Sequence, residues 1–378
     1  MRSILFLVLV LVSPPLLAQQ PALPVPPAPA IAAKAYLLLD FNSEQLLVAH
    51  NAQQRVEPAS LTKLMTAYLT FTALKQKLLR PDQVVPVPER AWRAEGSRMF
   101  IEPRKPVTVD ELVRGMVVQS GNDASIALAE AIAGSEDAFA QLMNREAQQL
   151  GLKNTHFVNA TGLPHPQHYS TAQDLVLLAA AIIRDFPEYY PLYSQKEYRY
   201  NNITQANLNR LLWTDPTVDG MKTGYTENAG YCLLTSARRG ERRLVSIVLG
   251  AASEAARAAE SQKLLNYGFQ FYDGMRLYAK NQPVATLQVF KGSANNVKAG
   301  FLSDLHLTLP RGQNEKLTAT IESLQPLLAP ISVGQRVGTL KVMLDGRAFR
   351  ELPVVALENV PVAGVFGRGW DTLRLLFR

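Results

Sequence analysis

The sequence predicts an α/β protein in which helices cover an antiparallel sheet and a small all-β domain follows. Two observations predict the first part: apolar strand hairpins stand at both of its ends, and segments with helical spacing fill its middle. A third observation predicts the second part. Past about Met275 the chain becomes short apolar runs separated by turn signals such as "LPRGQNE" and "LDGRAF".

Local patterns predict the first elements. In "KAYLLLDFNSEQLLVAHNA" two apolar runs flank Asn42 and Ser43, which is typical of a hairpin. Residues 60–79 have helical spacing. Thr108 and Glu111 form a capping box, which indicates that another helix begins there.

Further helices precede a second strand region. The segments "ASIALAEAIAG" and "SEDAFAQLMNREAQQLG" continue the helical pattern, and Gly151 is expected to end the second of them. In "GYCLLTSARRGERRLVSIVLGA" two apolar runs surround a polar turn, and "ARAAESQKLLNYGFQFY" returns to helix. We therefore expect one domain over residues 31–275 and the all-β domain over residues 276–360.

Both ends of the chain carry signals of export. Residues 1–18 combine a basic start, an apolar core and a break at two prolines, which predicts a secretory signal peptide, and residues 19–30 form a Pro/Ala-rich tether. Residues 361–378 predict an amphipathic helix that lies on a membrane surface. A helix docked on its own domain is the alternative. The apolar face consists of Phe366, Trp370, Leu373 and Phe377.

Composition argues against several classes of function. The formal charge is +7, but the basic residues are scattered, so nucleic acid is not an expected partner. Cys232 is the single cysteine, so no disulfide can form within the chain, and we expect it to be a small buried residue. The five histidines lack ligand spacing, so we expect neither a metal nor another cofactor.

Three short motifs occur in an informative order. Ser60-x-x-Lys63 lies at the start of a helix, Ser120-x-Asn122 lies between two helices, and Lys222-Thr223-Gly224 lies in a strand region. Each motif is weak alone. Together, in this order and at these separations, they resemble the penicillin-binding and serine β-lactamase superfamily. Within it, the chain is similar to the low-molecular-mass serine D-alanyl-D-alanine carboxypeptidases.

That resemblance implies a β-lactamase/transpeptidase-like fold and a covalent mechanism. Ser60 would attack the stem peptide of peptidoglycan at its terminal D-Ala-D-Ala, and β-lactam antibiotics would acylate the same hydroxyl. The protein would act in cell-wall synthesis as a peripheral protein on the periplasmic face of the inner membrane. The sequence leaves open the balance between carboxypeptidase, endopeptidase and transpeptidase activity.

The residues suit this chemistry. A serine hydroxyl needs a base, and Lys63 lies one helical turn from Ser60. A lysine acts as a base only when neutral, so we expect burial and the nearby ammonium of Lys222 to lower the pKa of Lys63.

The remaining site residues are expected to hold the substrate. By the resemblance, Ser120 would relay a proton to the leaving amine, and Asn122 would position Lys63 and the substrate amide. Thr223 and Gly224 would present an edge strand to an extended peptide. The family's oxyanion hole would use the main-chain N–H groups of Ser60 and Tyr225, where relatives often carry His.

Arg257 matches an arginine that reads the substrate carboxylate in relatives, with a solvated surface arginine as the alternative. Ser97 is a weaker candidate to line the cleft, and His156 is expected to be structural.

Other functions fit less well. A class A β-lactamase needs a Glu-x-x-x-Asn loop, and the only such spacing, Glu197 to Asn201, lies in a strand-like stretch too close to Lys222. A catalytically inactive peptidoglycan-binding scaffold is disfavoured because all three motifs are intact. A Ser-His-Asp hydrolase is disfavoured because the chain has no G-x-S-x-G.

Overall fold

The computed structural model describes residues 25–364 and Asp371. The predicted signal peptide, residues 1–18, lies outside the described residues, as does most of the predicted amphipathic segment 361–378. Among the described residues, no helix has the length and apolar character needed to cross a bilayer.

The first part of the chain forms a sheet with helices on both faces. Its helices are α1 Lys63–Lys75, α2 Glu89–Trp92, α3 Val109–Gln119, α4 Asn122–Ala133, α5 Glu136–Gln149, α6 Ala172–Asp185, α7 Leu211–Thr214 and α8 Glu254–Phe271. Its strands are β1 Ala35–Asp40, β2 Gln45–His50, β3 Val84–Val85, β4 Val107–Thr108, β5 Glu197–Tyr200, β6 Ile203–Ala206, β7 Val218–Thr226, β8 Gly230–Arg239 and β9 Arg242–Ala251.

The principal sheet is antiparallel and has five strands in the order β2-β1-β9-β8-β7. The N-terminal hairpin pairs with the last strand, with Leu37 opposite Ile247, so the two predicted hairpins meet in the middle of the sheet. The predicted fold class is confirmed. In the described part of the chain, β7 pairs only with β8 and is therefore an edge strand.

Side-chain alternation along the strands supplies two cores. Leu37 and Leu39 pack into the helical layer that contains α1, whereas Leu38 between them packs on the opposite face with Leu264 and Leu265 of α8. This follows from the two-residue period of a strand. Helix α1 is buried on nearly all sides, because a helix that is apolar on every face must be covered on every face. Its first residue, Lys63, is therefore also buried.

Local signals set the helix ends as predicted. The Thr108 hydroxyl accepts a hydrogen bond from the N–H of Glu111, and the Glu111 carboxylate accepts one from the N–H of Thr108. Ser135 caps α5 with its hydroxyl, which accepts from the N–H of Ala138. Each such cap typically stabilises a fold by about 1 kcal/mol.

The second part of the chain is all β with its own core. Its strands are β10 Tyr272–Tyr278, β11 Ala285–Phe290, β12 Asn296–Gly300, β13 Leu305–Pro310, β14 Leu317–Ser323, β15 Leu327–Leu328, β16 Arg336–Leu344 and β17 Arg347–Ala356. Strands β14, β16, β17, β12, β11 and β15 form a sheet in that order, and β10 pairs with β13. The predicted boundary after residue 275 falls inside β10.

Candidate active site

The three motifs meet at one cleft. It has a volume of about 370 Å³ and lies between the start of α1, the α3–α4 junction and the edge strand β7. Lys63 and Lys222 lie beneath its surface, each in contact with a serine that lines it. The other seven predicted site residues line the cleft: Ser60, Ser120, Asn122, Thr223, Gly224, Tyr225 and Arg257.

Ser60 is held by a tight main-chain arrangement. It lies in the 3₁₀ turn Ala59–Thr62 that leads into α1. Ala59 has φ 48°, a left-handed conformation that is costly for a residue with a side chain. Gly162 packs directly on this turn, since a Cβ there would lie 1.8 Å from the Ala59 carbonyl oxygen. The nucleophile turn is therefore fixed by its neighbours rather than by its own preference.

Lys63 contacts Ser60 from below. Its Nζ lies 3.0 Å from Ser60 Oγ and donates a hydrogen bond of 2.7 Å to the Thr161 carbonyl. The side chain is 1 % exposed. Burial lowers the pKa of Lys63 to about 7, although the negative charge of Asp123 opposes this shift. Near neutral pH a large share of Lys63 is uncharged and able to accept a proton.

A second lysine–serine pair faces the first. Lys222 Nζ lies 2.9 Å from Ser120 Oγ and donates to the Thr223 carbonyl. Burial lowers the pKa of Lys222 well below its usual value, and the charges of Lys63 and Arg257 lower it further. The sequence-based expectation assigned part of the Lys63 shift to Lys222. Burial, the other expected cause, is the larger one for Lys63, and the charge of Lys63 contributes to the lowered pKa of Lys222.

Asn122 and the residue after it hold the rim of the cleft. Asn122 Nδ2 donates to the Glu95 carbonyl at 2.6 Å, and within the described residues no hydrogen bond joins Asn122 to Lys63, which it was expected to position. Its Oδ1 is buried and has no hydrogen-bond partner within residues 25–364, which leaves an acceptor for a substrate amide.

Asp123 is a residue that the sequence reasoning missed. Its carboxylate accepts hydrogen bonds from the main-chain N–H groups of Met99, Phe100 and Ile101 at 3.0, 2.8 and 3.2 Å. It therefore fastens the segment after Ser97, which itself lines the cleft. Its position directly after the S-x-N motif was the only signal available.

Strand β7 forms the opposite wall. A Cβ at Gly224 would lie 3.2 Å from both Ala59 Cβ and the Pro58 carbonyl oxygen, so glycine lets the strand approach the nucleophile turn. Tyr225 is half-exposed, and its ring packs on Tyr231 at 4.4 Å between centroids.

Arg257 is buried in the wall rather than solvated. It is 4 % exposed, and its guanidinium donates to the carbonyls of Gly224 and Leu208. It also lies over the Tyr231 ring, 5.6 Å from the centroid. A buried guanidinium at the cleft surface suits an anionic group of a ligand.

Two minor predictions concern residues outside the cleft. His156 pairs with the Gln167 carbonyl and, in the part of the chain that the structure describes, makes no hydrogen bond to a cleft residue, and Cys232 is buried. Among the described residues, no group of acidic, histidine or cysteine side chains could hold a metal ion. The cleft thus offers a hydroxyl nucleophile, a buried base and an edge strand, which are the parts of covalent acyl transfer.

Comparisons with known proteins agree with this geometry. The family model described as D-alanyl-D-alanine carboxypeptidase matches residues 22–253, and the model described as penicillin-binding protein 5, C-terminal domain, matches residues 272–362. D-alanyl-D-alanine carboxypeptidase DacC of Escherichia coli is 42% identical over 93% of this chain and 90% of its own length.

Solved structures are similar as well. Penicillin-binding protein 5 from Haemophilus influenzae has a TM-score of 0.85 and 40% identity, covering 88% of this chain and 98% of that one. Penicillin-binding protein D2 from Listeria monocytogenes, in its ampicillin-bound form, has a TM-score of 0.60 and 31% identity, covering 65% of this chain and all of that one. The chain therefore belongs to the serine D-alanyl-D-alanine carboxypeptidases, the low-molecular-mass penicillin-binding proteins of peptidase family S11 that act on cell-wall peptidoglycan.

Proposed function

We propose that Ser60 is the residue acylated when the enzyme removes the terminal D-Ala of a peptidoglycan stem peptide. The single observation that carries this proposal is the pairing of Ser60 Oγ with Lys63 Nζ at 3.0 Å, beside a lysine pKa of about 7. A hydroxyl becomes a nucleophile when a base within hydrogen-bond reach accepts its proton.

Acylation then proceeds with each group in a defined role. Ser60 Oγ attacks the carbonyl carbon of the penultimate D-Ala while its proton passes to Lys63 Nζ. The main-chain N–H groups of Ser60 and Tyr225 stabilise the oxyanion. Ser120 relays the proton from Lys63 to the amide nitrogen, the C–N bond breaks, and free D-Ala leaves with Ser120 protonated and Lys63 neutral again. Lys222 contacts Ser120 and favours the anionic carboxylate end of the substrate.

Deacylation reverses the proton flow. Water attacks the ester carbonyl and loses a proton to the neutral amine of Lys63, and Ser60 Oγ leaves and is reprotonated. The shortened stem peptide is released with a new carboxylate. No metal or cofactor is required by these steps.

The cleft walls support an extended peptide substrate. Strand β7 has a free edge in the described part of the chain, and Thr223 lines the cleft on it, so main-chain pairing can hold the stem peptide beside Ser60. Arg257 supplies a buried cation for the terminal carboxylate. The Asn122 Oδ1 atom supplies an acceptor for a substrate N–H.

We further propose that β-lactam antibiotics acylate Ser60. A β-lactam presents a strained amide to the same attack, and its amine stays tethered after ring opening, which hinders the deacylating water. The related Listeria protein has been solved in ampicillin-bound and cefotaxime-bound forms, which supports this proposal.

Intact-protein mass spectrometry after brief penicillin exposure tests both proposals. The wild-type enzyme is expected to gain one drug molecule, and Ser60→Ala is expected to gain none while keeping its circular dichroism spectrum. Ser97→Ala is the matched control because Ser97 lines the same cleft and, among the described residues, its hydroxyl has no hydrogen bond to a lysine. A full-stoichiometry adduct on Ser60→Ala would contradict the assignment. Release of D-Ala from a model pentapeptide provides the same comparison for turnover.

We also propose that residues 361–378 anchor the enzyme to the periplasmic face of the inner membrane. The apolar face of Phe366, Trp370, Leu373 and Phe377, in a segment of net positive charge, supports it. Asp371, the one described residue beyond 364, accepts a hydrogen bond from the N–H of Lys291. A segment docked on its own β domain is therefore the alternative outcome.

Flotation with anionic lipid vesicles separates these outcomes. The full chain without its signal peptide should float with the vesicles, and a chain truncated after Val360 should stay in solution with penicillin acylation intact. Trp370→Glu in the full chain should weaken flotation. Equal flotation of the full and truncated chains would refute the anchor.

A further inference from the structure

A buried histidine outside the three motifs contacts the nucleophile turn. His168 Nε2 lies 2.8 Å from Oγ1 of Thr62, which directly precedes Lys63. His168 is 3 % exposed and Thr62 is fully buried. The mechanism described above makes no use of this pair.

The other ring nitrogen determines the form of the imidazole. His168 Nδ1 accepts a hydrogen bond of 3.2 Å from the main-chain N–H of Val158. A nitrogen that accepts carries no proton, so the neutral ring has its hydrogen on Nε2 and donates it to Thr62 Oγ1. His168 thus joins Val158 to the turn that carries the nucleophile.

The joined loop also carries the groups that orient the base. The Thr161 carbonyl accepts from Lys63 Nζ, and the Ala160 carbonyl accepts from the Thr66 hydroxyl on α1. Gly162 packs against the Ala59 carbonyl. Any loosening of this loop, residues 158–168, moves the acceptor that aims the Lys63 amine at Ser60.

We propose that His168 is a positioning residue for acylation: in its neutral form it fastens the 158–168 loop to the nucleophile turn, and its protonation releases that fastening. This inference rests on the proposed role of Ser60 and Lys63. An imidazolium has N–H groups at both nitrogens, so its Nδ1–H would face the N–H of Val158, donor against donor. The bond to Thr62 would survive, but the bond to the loop would not.

The surroundings favour the neutral ring at ordinary pH. Burial, followed by the charges of His156 and His165, lowers the pKa of His168 to about 4. The Phe157 ring packs edge-on against it. Other titratable groups around this loop and turn include Lys63, Glu136, which accepts from the Ala160 N–H, and Asp174, which accepts from Asn154 and Thr155.

The pH dependence of acylation tests the proposal. Enzyme held at neutral pH is mixed for seconds with fluorescent penicillin at pH 3.5 to 8, then quenched. In the wild type, log rate should fall with a slope of about 1 below the Lys63 pKa and steepen to about 1.5 at pH 4 and further below it. His168→Gln keeps a donor for Thr62 but does not titrate, so its slope should stay near 1. His50→Gln, at an exposed histidine at the end of β2, should match the wild type.

A second measurement needs no acid. At pH 7.5, His168→Phe keeps an aromatic ring but loses both hydrogen bonds, and its acylation rate should fall about tenfold or more with little change in drug affinity before acylation. Combining Thr62→Val with His168→Phe should lower the rate no further than either change alone.

Full recovery of neutral-pH activity after each acid pulse shows that the fold was retained. A wild-type slope that stays at 1 to pH 3.5, or a His168→Phe enzyme that acylates at the wild-type rate, would overturn the proposal. Neither result would affect the assignment of Ser60, because that assignment is tested separately by the mass of Ser60→Ala after penicillin exposure.

Discussion

Titration of Lys63 should set the lower pH limit of acylation. The side chain is 1 % exposed, and its pKa falls from the usual 10.5 to about 7. That difference corresponds to a free-energy cost of about 5 kcal/mol for the charged form of Lys63 in the folded protein. The folded-state pKa is lowered, so the neutral base is present above pH 7 and is lost as the pH falls.

The expected size of the effect follows directly. The neutral fraction of Lys63 is about nine-tenths at pH 8 and about one-tenth at pH 6, so the acylation rate should drop about tenfold between them. Pseudo-first-order labelling with a fluorescent penicillin measures this rate. Lys63→Arg should be nearly inactive at every pH, because a guanidinium does not release its proton.

A matched control is available on the same helix. Lys75 is exposed at the end of α1 and donates to the Asp185 carbonyl, so Lys75→Arg should leave both the rate and the profile unchanged. A wild-type rate that is flat from pH 5.5 to 8.5 would refute the reasoning, since burial would then not determine the protonation of the base. Lys63→Arg acylating at a tenth of the wild-type rate or faster would refute it equally.

Three further predictions concern the same cleft. Lys222→Gln should weaken substrate binding yet leave the acid limb within about half a pH unit, because burial is the main cause of the Lys63 shift; titrating the variant's labelling rate checks this. Lys63→Met should raise the free energy of unfolding by up to about 4 kcal/mol at pH 7 while abolishing acylation, as urea denaturation would measure. Gly162→Ala should cost more than about 2 kcal/mol, since its Cβ would meet the Ala59 carbonyl, whereas Gly151→Ala, with φ 74° but open space, should cost only about 1 kcal/mol.

Short-range patterns made much of the fold predictable. The Thr108–Glu111 capping box and the hairpin at Asn42 and Ser43 are set by neighbouring residues, and the chemistry of each is visible in its own letters. The expected break between two helices is shorter than predicted, because only Ser120 and Gly121 separate α3 from α4 and Asn122 already begins α4. The pairing of β1 with β9 could not be derived in the same way. Strand periodicity states which face is apolar but not which distant strand is the partner.

The same distinction decides which parts of the candidate site could be predicted from the sequence. Ser60, Lys63 and Lys222 were predicted because their side-chain types carry the chemistry. The role of the Thr161 carbonyl was not predicted, because every residue has a main-chain carbonyl and the residue type does not reveal which one accepts a hydrogen bond. The burial of Arg257 was equally invisible, since a helix-face arginine with the same neighbours in sequence can be solvated. The burial of Arg257 results from the packing of β7 and β8 against α8.

The pairing of β1 with β9 also determines when the enzyme becomes competent during folding. All three motifs lie between these strands in sequence, and β1 reaches the middle of the sheet only by joining a strand near the end of the first unit. Such non-local pairing is slow, because a long loop must close before its contacts form. Because of this pairing, the cleft is completed late in folding, also in a chain that still carries the predicted signal peptide. Covalent penicillin labelling therefore detects only molecules whose fold is complete.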